Sequence, residues 1–206
     1  MSHYEIIDGM RHFNYGKTMN FLLEQGKKKY GQQFRIDKED LPVINRLVMY
    51  AAHVEDCCEN FGIDLNKGIL LTGPIGCGKT SWMQLIQLLM FPEQKYQVKS
   101  SRDIAFEFNR DGYDVINNYG KRNRRLCLDD IGVEQNIKFF GNECNTIAEI
   151  LLQRYELHQH QGIITHATTN LSASQLEQLY GNRVRSRLRS MFNLISFPAE
   201  AKDKRK

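Results

Sequence analysis

The chain has 206 residues, 41% of them hydrophobic and 25% charged. That length suits one full domain with a short appendage, and that balance supports a packed core, so intrinsic disorder, collagen-like repeats and a disulfide-stapled miniprotein are excluded. Lys and Arg number 28 against 24 Asp and Glu, a net charge of +4 that allows a polyanionic partner without requiring one.

Residues 1–10 carry Glu5 and Asp8 and no apolar run, so no signal peptide is expected. The apolar stretch at 85–91, interrupted by Gln87, falls far short of the ~18 residues that span a bilayer, and no membrane association is expected. Cys57, Cys58, Cys77, Cys127 and Cys144 are odd in number and show no C-x-x-C spacing. Reduced thiols in a cytoplasmic protein are expected, and zinc is not.

Residues 1–36 are polar, broken by Gly9, Gly16, Gly26 and Gly31, and read as an N-terminal helical, partner-binding segment with a helix over 14–30. Residues 37–206 read as the main domain with a short basic tail. In that domain Val43, Leu47, Tyr50, Val54 and Cys58 recur at helical spacing over 41–61, and Gly62 stops the run. Strands are then expected at 68–72, 96–99, 126–129, 163–168 and 193–197. Helices are expected between them at 79–90, 102–108, 142–160, 172–180 and 183–191. Five short apolar runs separated by helices predict an α/β fold, a parallel five-stranded sheet with helices on both faces.

The sharpest motif is Gly73-Pro74-Ile75-Gly76-Cys77-Gly78-Lys79-Thr80, which fits G-x-x-x-x-G-K-[ST] and lies between a strand and a helix, with Ser81 just inside the helix. Glycines let successive N–H groups turn inward on a phosphate, and the helix start adds its dipole. Lys79 would pair with the β- and γ-phosphates, and the Thr80 hydroxyl would ligate Mg²⁺. An empty glycine-rich turn is the bland alternative, and the flanking strand and helix argue against it.

The strand 126–129 ends in Asp129-Asp130. Ligands of open α/β sheets sit at the carboxyl ends of strands. Asp129 is therefore expected to hold Mg²⁺ through its water shell, and Asp130 to orient or deprotonate an attacking water. A helix-capping turn would use the same pair. Asn170 closes the next strand, either reaching a γ-phosphate or capping a helix. Further on, Arg183 and Arg187 share one helix face, with Arg185 and Arg189 nearly opposite and Val184, Leu188 and Met191 between them. One pair can meet a phosphate, or all four can be solvated.

Smaller features read more plainly. His158 and His160 fall on different helix faces and are no metal pair, His166 is expected to be an interior imidazole, and Cys127 a core residue. Cys77 is expected to be open to oxidation. The basic stretch 121–125, with Tyr113 and Tyr119 nearby, is a candidate contact for single-stranded DNA. Lys202, Lys204, Arg205 and Lys206 could contact the same DNA phosphates, though a disordered, solubilising end is the reading expected of them. An adenine is expected to pack against 41–69.

"GILLTGPIGCGKT", "LCLDDIGVE", "LLQRYE", "TTNLS" and "GNRVRSRLRS" stand in an order that resembles AAA+ ATPases of the bacterial helicase-loader (DnaC-like) and transposase-helper (IstB-like) group, over residues 65–197. The resemblance implies a P-loop NTPase αβα sandwich with sheet order 5-1-4-3-2, ATP or ADP with Mg²⁺, and nucleotide-dependent homo-oligomers. It implies a replicative helicase or a transposase as partner, with single-stranded DNA as a further one. It makes Asn170 similar to the sensor that reads the γ-phosphate and Arg187 similar to an arginine finger acting in trans, with Arg183 the second candidate. Many AAA+ proteins carry Glu where this chain has Asp130, so weak hydrolysis is expected. The C-terminal helical lid is expected to be absent or vestigial. Two other activities use the same loop, an ATP/ADP-dependent switch with negligible turnover and a small-molecule kinase; the kinase leaves Asn170 and Arg187 without a role.

Overall fold

The computed structural model of the chain describes residues 3–8, 10–134, 137–139 and 142–205. A hairpin of β1 (Tyr4–Ile7) and β2 (Met10–Phe13) comes first, followed by α1 (Tyr15–Tyr30), α2 (Leu41–Ala51) and α3 (Glu55–Asn60). Then come β3 (Gly68–Thr72), α4 (Lys79–Leu85), β4 (Gln97–Ser100), α5 (Ser101–Asp111), α6 (Tyr113–Gly120) and β5 (Leu126–Asp129). A second small hairpin, β6 (Ile137–Phe139) and β7 (Asn142–Cys144), precedes α7 (Thr146–Gln161), β8 (Thr165–Thr169), α8 (Ala173–Met191) and β9 (Phe192–Ser196).

Five of these strands form one sheet in the order β4-β5-β8-β3-β9, every pair parallel. Counted in chain order within the sheet, that is 5-1-4-3-2, as the resemblance implied. Strand alternation distributes the core. Ile69, Leu71 and Cys127 face one cluster with Leu47, Trp82 and Met83, whereas Leu70, Leu126 and Leu128 face another with Phe108, Ile147 and Leu188. Both faces are covered, the arrangement parallel sheets require.

Several boundaries differ from the periodicity. The single helix expected at 41–61 is two, because the chain turns at 52–54, where His53 takes a left-handed backbone (φ 56°). The helix expected from 79 keeps α-geometry only to Leu85 and tightens into a 3-10 turn at Ile86–Leu88. The two helices expected at 172–191 follow one another as α8, broken at Gly181, whose φ of 83° is not helical. Neither hairpin was expected, nor was α6. α1 shares the first cluster, with Leu22 buried beside Leu47 and Trp82. Among the described residues no helix is long and apolar enough to cross a membrane.

Candidate functional site

β3 delivers the glycine-rich turn to the carboxyl edge of the sheet. Gly76 (φ 82°) and Gly78 (φ 98°) hold left-handed backbone that other residues adopt only with strain, and Gly78 caps α4. A Cβ at Gly73 would fall 2.7 Å from the Phe197 Cβ. Lys79 is buried, its ammonium donating to the Gly73 and Pro74 carbonyls at 2.9 Å each. Cys77 points into the core, where burial raises its thiol pKa against the opposing pull of Lys79. It is therefore shielded and held protonated, contrary to the expectation of an oxidation-prone residue.

The acids meet this turn. Thr80 Oγ1 lies 2.9 and 3.0 Å from the two Asp129 carboxylate oxygens, so the two candidate metal-binding side chains converge. The β5–β8 register, Leu128 opposite Ala167, sets Asp129 beside Thr168. The Thr168 hydroxyl donates to Asp129 Oδ1 at 2.7 Å and accepts the Asp130 N–H at 2.8 Å. Burial raises the Asp129 pKa, and the Asp130 charge adds to this; the Thr168 and Thr80 hydroxyls and Lys79 pull it down. Asp130 itself takes a left-handed backbone (φ 54°), pinned by the Ser101 hydroxyl donating to its carbonyl at 2.7 Å. Thr168 has no motif of its own, and its role depends on strand register alone.

A cavity of about 510 Å³ opens over the turn, lined by Ile75, Gly76, Gly78, Lys79, Thr80, Ser81, Asp130 and Asn170. The Asn170 Oδ1 is buried and has no hydrogen-bond partner among the described residues, an acceptor that a donor such as a bound water would satisfy. The lining of this cavity includes no residue of 41–69, the segment expected to pack an adenine. Its far wall comes from Tyr30, Gln33, Phe34 and Arg35, with the Tyr30 and Phe34 rings stacked at 5.7 Å. A buried lysine, a glycine turn with left-handed backbone, a hydroxyl–carboxylate pair and an unpartnered amide oxygen at one cavity fit a nucleoside triphosphate with Mg²⁺, which would displace the Asp203 carboxylate now lying against Gly76.

No family model and no curated protein sequence matches the chain. Solved structures do. A candidate primosome component from Streptococcus pyogenes serotype M3 is similar at TM-score 0.55 and 17% identity, over 81% of this chain and 83% of that one. A DNA replication initiation factor is similar at TM-score 0.51 and 20% identity, over 80% of this chain and 47% of that one. AMPPCP-bound DnaA from Aquifex aeolicus is similar at TM-score 0.50 and 21% identity, over 83% of this chain and 50% of that one. The five-stranded parallel sheet with flanking helices matches the fold of these proteins. The chain has the AAA+ fold.

Within this fold the remaining candidates fall elsewhere. Arg183 and Arg187 lie on α8 and do not line the cavity; Arg183 is exposed, and the Arg187 guanidinium sits over the Tyr155 ring at 4.2 Å. Arg185 pairs with Glu177. The basic stretch 121–125 precedes β5 and so lies at the opposite end of the sheet. Tyr119 there is buried and donates to Glu107 at 2.8 Å, which removes it as a base-stacking surface, while Tyr113 is exposed. His166 is interior as expected: its Nδ1 accepts the Ile69 N–H at 3.2 Å, and burial lowers its pKa to about 3. The segment after β9 is a solvated tail only in part: Lys202 is exposed, and Lys206 lies outside the described residues. The segment folds back over the glycine-rich turn, and Lys204 and Arg205 line the cavity.

Proposed function

We propose that this AAA+ protein binds ATP and ADP with Mg²⁺ at residues 73–81 and hydrolyses ATP slowly, as a helicase-loader-like or transposase-helper-like accessory ATPase in DNA replication or transposition. The convergence of Thr80 and Asp129 beside Lys79, at the cavity over the glycine turn, carries the reading. In it, Lys79 leaves the Gly73 and Pro74 carbonyls for the phosphates. Thr80 and Asp129 hold the metal, which supplies positive charge to the phosphate oxygens. Asp130 orients the attacking water and takes its proton, and Asn170 donates its amide to the γ-phosphate or that water.

Arg187, with Arg183 beside it, serves a neighbouring subunit; that neither reaches its own cavity supports action in trans. A replicative helicase is the favoured partner, supported by the neighbour described as a primosome component. Residues 3–36, with Ile6 and Ile7 exposed on the first hairpin, are the favoured docking piece. Single-stranded DNA is a further ligand in this reading. A switch with negligible turnover is the second reading. It is supported by Asp130, whose carboxylate stands one methylene shorter than a Glu.

Calorimetry with Mg-ATP and Mg-ADP tests the first step: both bind the wild type, and Lys79→Ala abolishes the heat. The absence of heat with the folded wild type would sink the reading. Steady-state phosphate release, with and without single-stranded DNA, separates the slow ATPase from the switch.

A further inference from the structure

Beyond β9 the chain crosses the rim of the phosphate turn. The Phe197 N–H donates to the Thr72 carbonyl at 2.9 Å, and Ala201 packs on the apolar cluster that contains Trp82. The Lys204 N–H donates to the Gly76 carbonyl at 3.0 Å, inside the glycine turn itself. Its ammonium pairs with Asp40, just before α2, with Asp37 at 4.0 Å. Asp40 is only 2% exposed. A pair this desolvated adds little net stability but fixes geometry, since either charge alone would be costly to bury. Lys204 is therefore an anchor.

Arg205 is placed differently. Its side chain is 66% exposed, it pairs with nearby Asp203 at 3.1 and 3.2 Å, and it lines the same cavity as Lys79, Asp130 and Asn170. The hydrogen bond and charge of Asp203 raise its pKa, and Asp130 adds a smaller push in the same direction. The Asp203 carboxylate lies against Gly76, where a Cβ would collide with it, so a phosphate entering the turn displaces that carboxylate and takes its place on the guanidinium. A guanidinium offers two parallel donors to a phosphate.

We propose that Arg205 is a phosphate-binding residue of this chain's own nucleotide site, held over the turn by a clasp in which Lys204 locks segment 198–205 to Asp40 and to the Gly76 carbonyl. This rests on the nucleotide reading above. Because Arg205 lines the cavity together with Asp130 and Asn170, the residues that the reading above sets at the terminal phosphate, it meets that phosphate, and ATP gains more from it than ADP.

The test titrates the full chain with fluorescent N-methylanthraniloyl ATP and ADP in the presence of Mg²⁺. Arg205→Ala weakens ATP about tenfold or more, the size of a charge-assisted hydrogen bond, and weakens ADP less. Arg205→Lys recovers part of the loss, because charge is kept and the fork is not. Asp40→Asn frees Lys204, weakens ATP in turn, and raises deuterium uptake across 198–205. The exposed Arg205 variants keep the wild-type melting temperature, which separates lost contact from lost fold. Unchanged ATP affinity in Arg205→Ala overturns the proposal, and so does tighter binding, which would make the segment a plug. If the wild type binds neither nucleotide, the nucleotide reading falls first and takes the clasp with it.

Discussion

The Thr168 hydroxyl bridges Asp129 and the Asp130 main chain, so one side chain sets the spacing of both acids. Thr168→Val keeps the shape and leaves the Asp130 N–H without its acceptor, at a cost of about 1–3 kcal/mol by denaturant unfolding. It also lowers kcat for ATP with little change in KM; an unchanged kcat would make Thr168 a purely structural residue. Asp129 carries an opposite lesson. Burial raises its carboxyl pKa, so the folded state holds its proton more tightly than the unfolded chain does. The stability this supplies is full below the ordinary value of 3.8 and is lost as pH rises through the raised value. At neutral pH the ionised group therefore weakens the nucleotide-free fold. Asp129→Asn should melt higher than wild type at pH 7, lose that advantage in strong acid, and lose Mg²⁺-dependent turnover. A lower melting point at pH 7 would contradict it. Lys79, Thr80 and the two acids could be read directly, being runs of neighbours; Thr168 could not, because only the pairing of β5 with β8 places it there.

At the scale of elements, α7 is tied to the sheet by a buried cation. The Arg154 guanidinium donates to Thr165 Oγ1 at 2.7 Å, to the carbonyls of Arg122 and Arg124 at 2.9 Å, and to that of Ile164 at 3.3 Å. Burial, with a smaller contribution from Arg124, lowers its pKa to about 10. It fastens the loop entering β5 and the start of β8, the strands that carry Asp129 and Asn170. Arg154→Met fills the volume but strips the donors, and about 3 kcal/mol or more of stability is expected to go, measured by urea unfolding. A loss under 1 kcal/mol would mean that water replaces the donors. Periodicity located α7 well because Ile147, Ile150, Leu151 and Leu157 are buried on it. It overran at 142–145, where β7 pairs with β6 instead, and it merged α2 with α3. Apolar spacing continues through a backbone turn that only three-dimensional packing reveals.

At the scale of the molecule, the cavity holds Asp130 and Asn170 but neither Arg183 nor Arg187. In the proposed assembly those arginines belong to the neighbour's site, so a mixture is diagnostic. Lys79→Ala and Arg187→Ala chains should each release little phosphate alone. Mixed, they should recover part of the activity where an intact loop meets an intact arginine. No recovery, with both variants still assembling on a sizing column, would remove Arg187 from that role. Release of Arg187 from Tyr155 costs about 0.5–1 kcal/mol, small enough for assembly to supply.

Sequence alone determined what rests on neighbours in the chain: the phosphate turn, the strand ending in two acids, the amide at 170, and the strand–helix alternation of a parallel sheet. Turn chemistry and side-chain period act over a few residues, so they are written locally. Tertiary structure decided the wall of Tyr30 and Phe34, the bridging Thr168, the Arg154 tie and the return of 198–205 over the turn. The Lys204–Asp40 pair closes a separation of 164 residues. Such a contact depends on how finished elements dock, and a run of lysines and arginines looks the same whether it meets solvent or a buried aspartate.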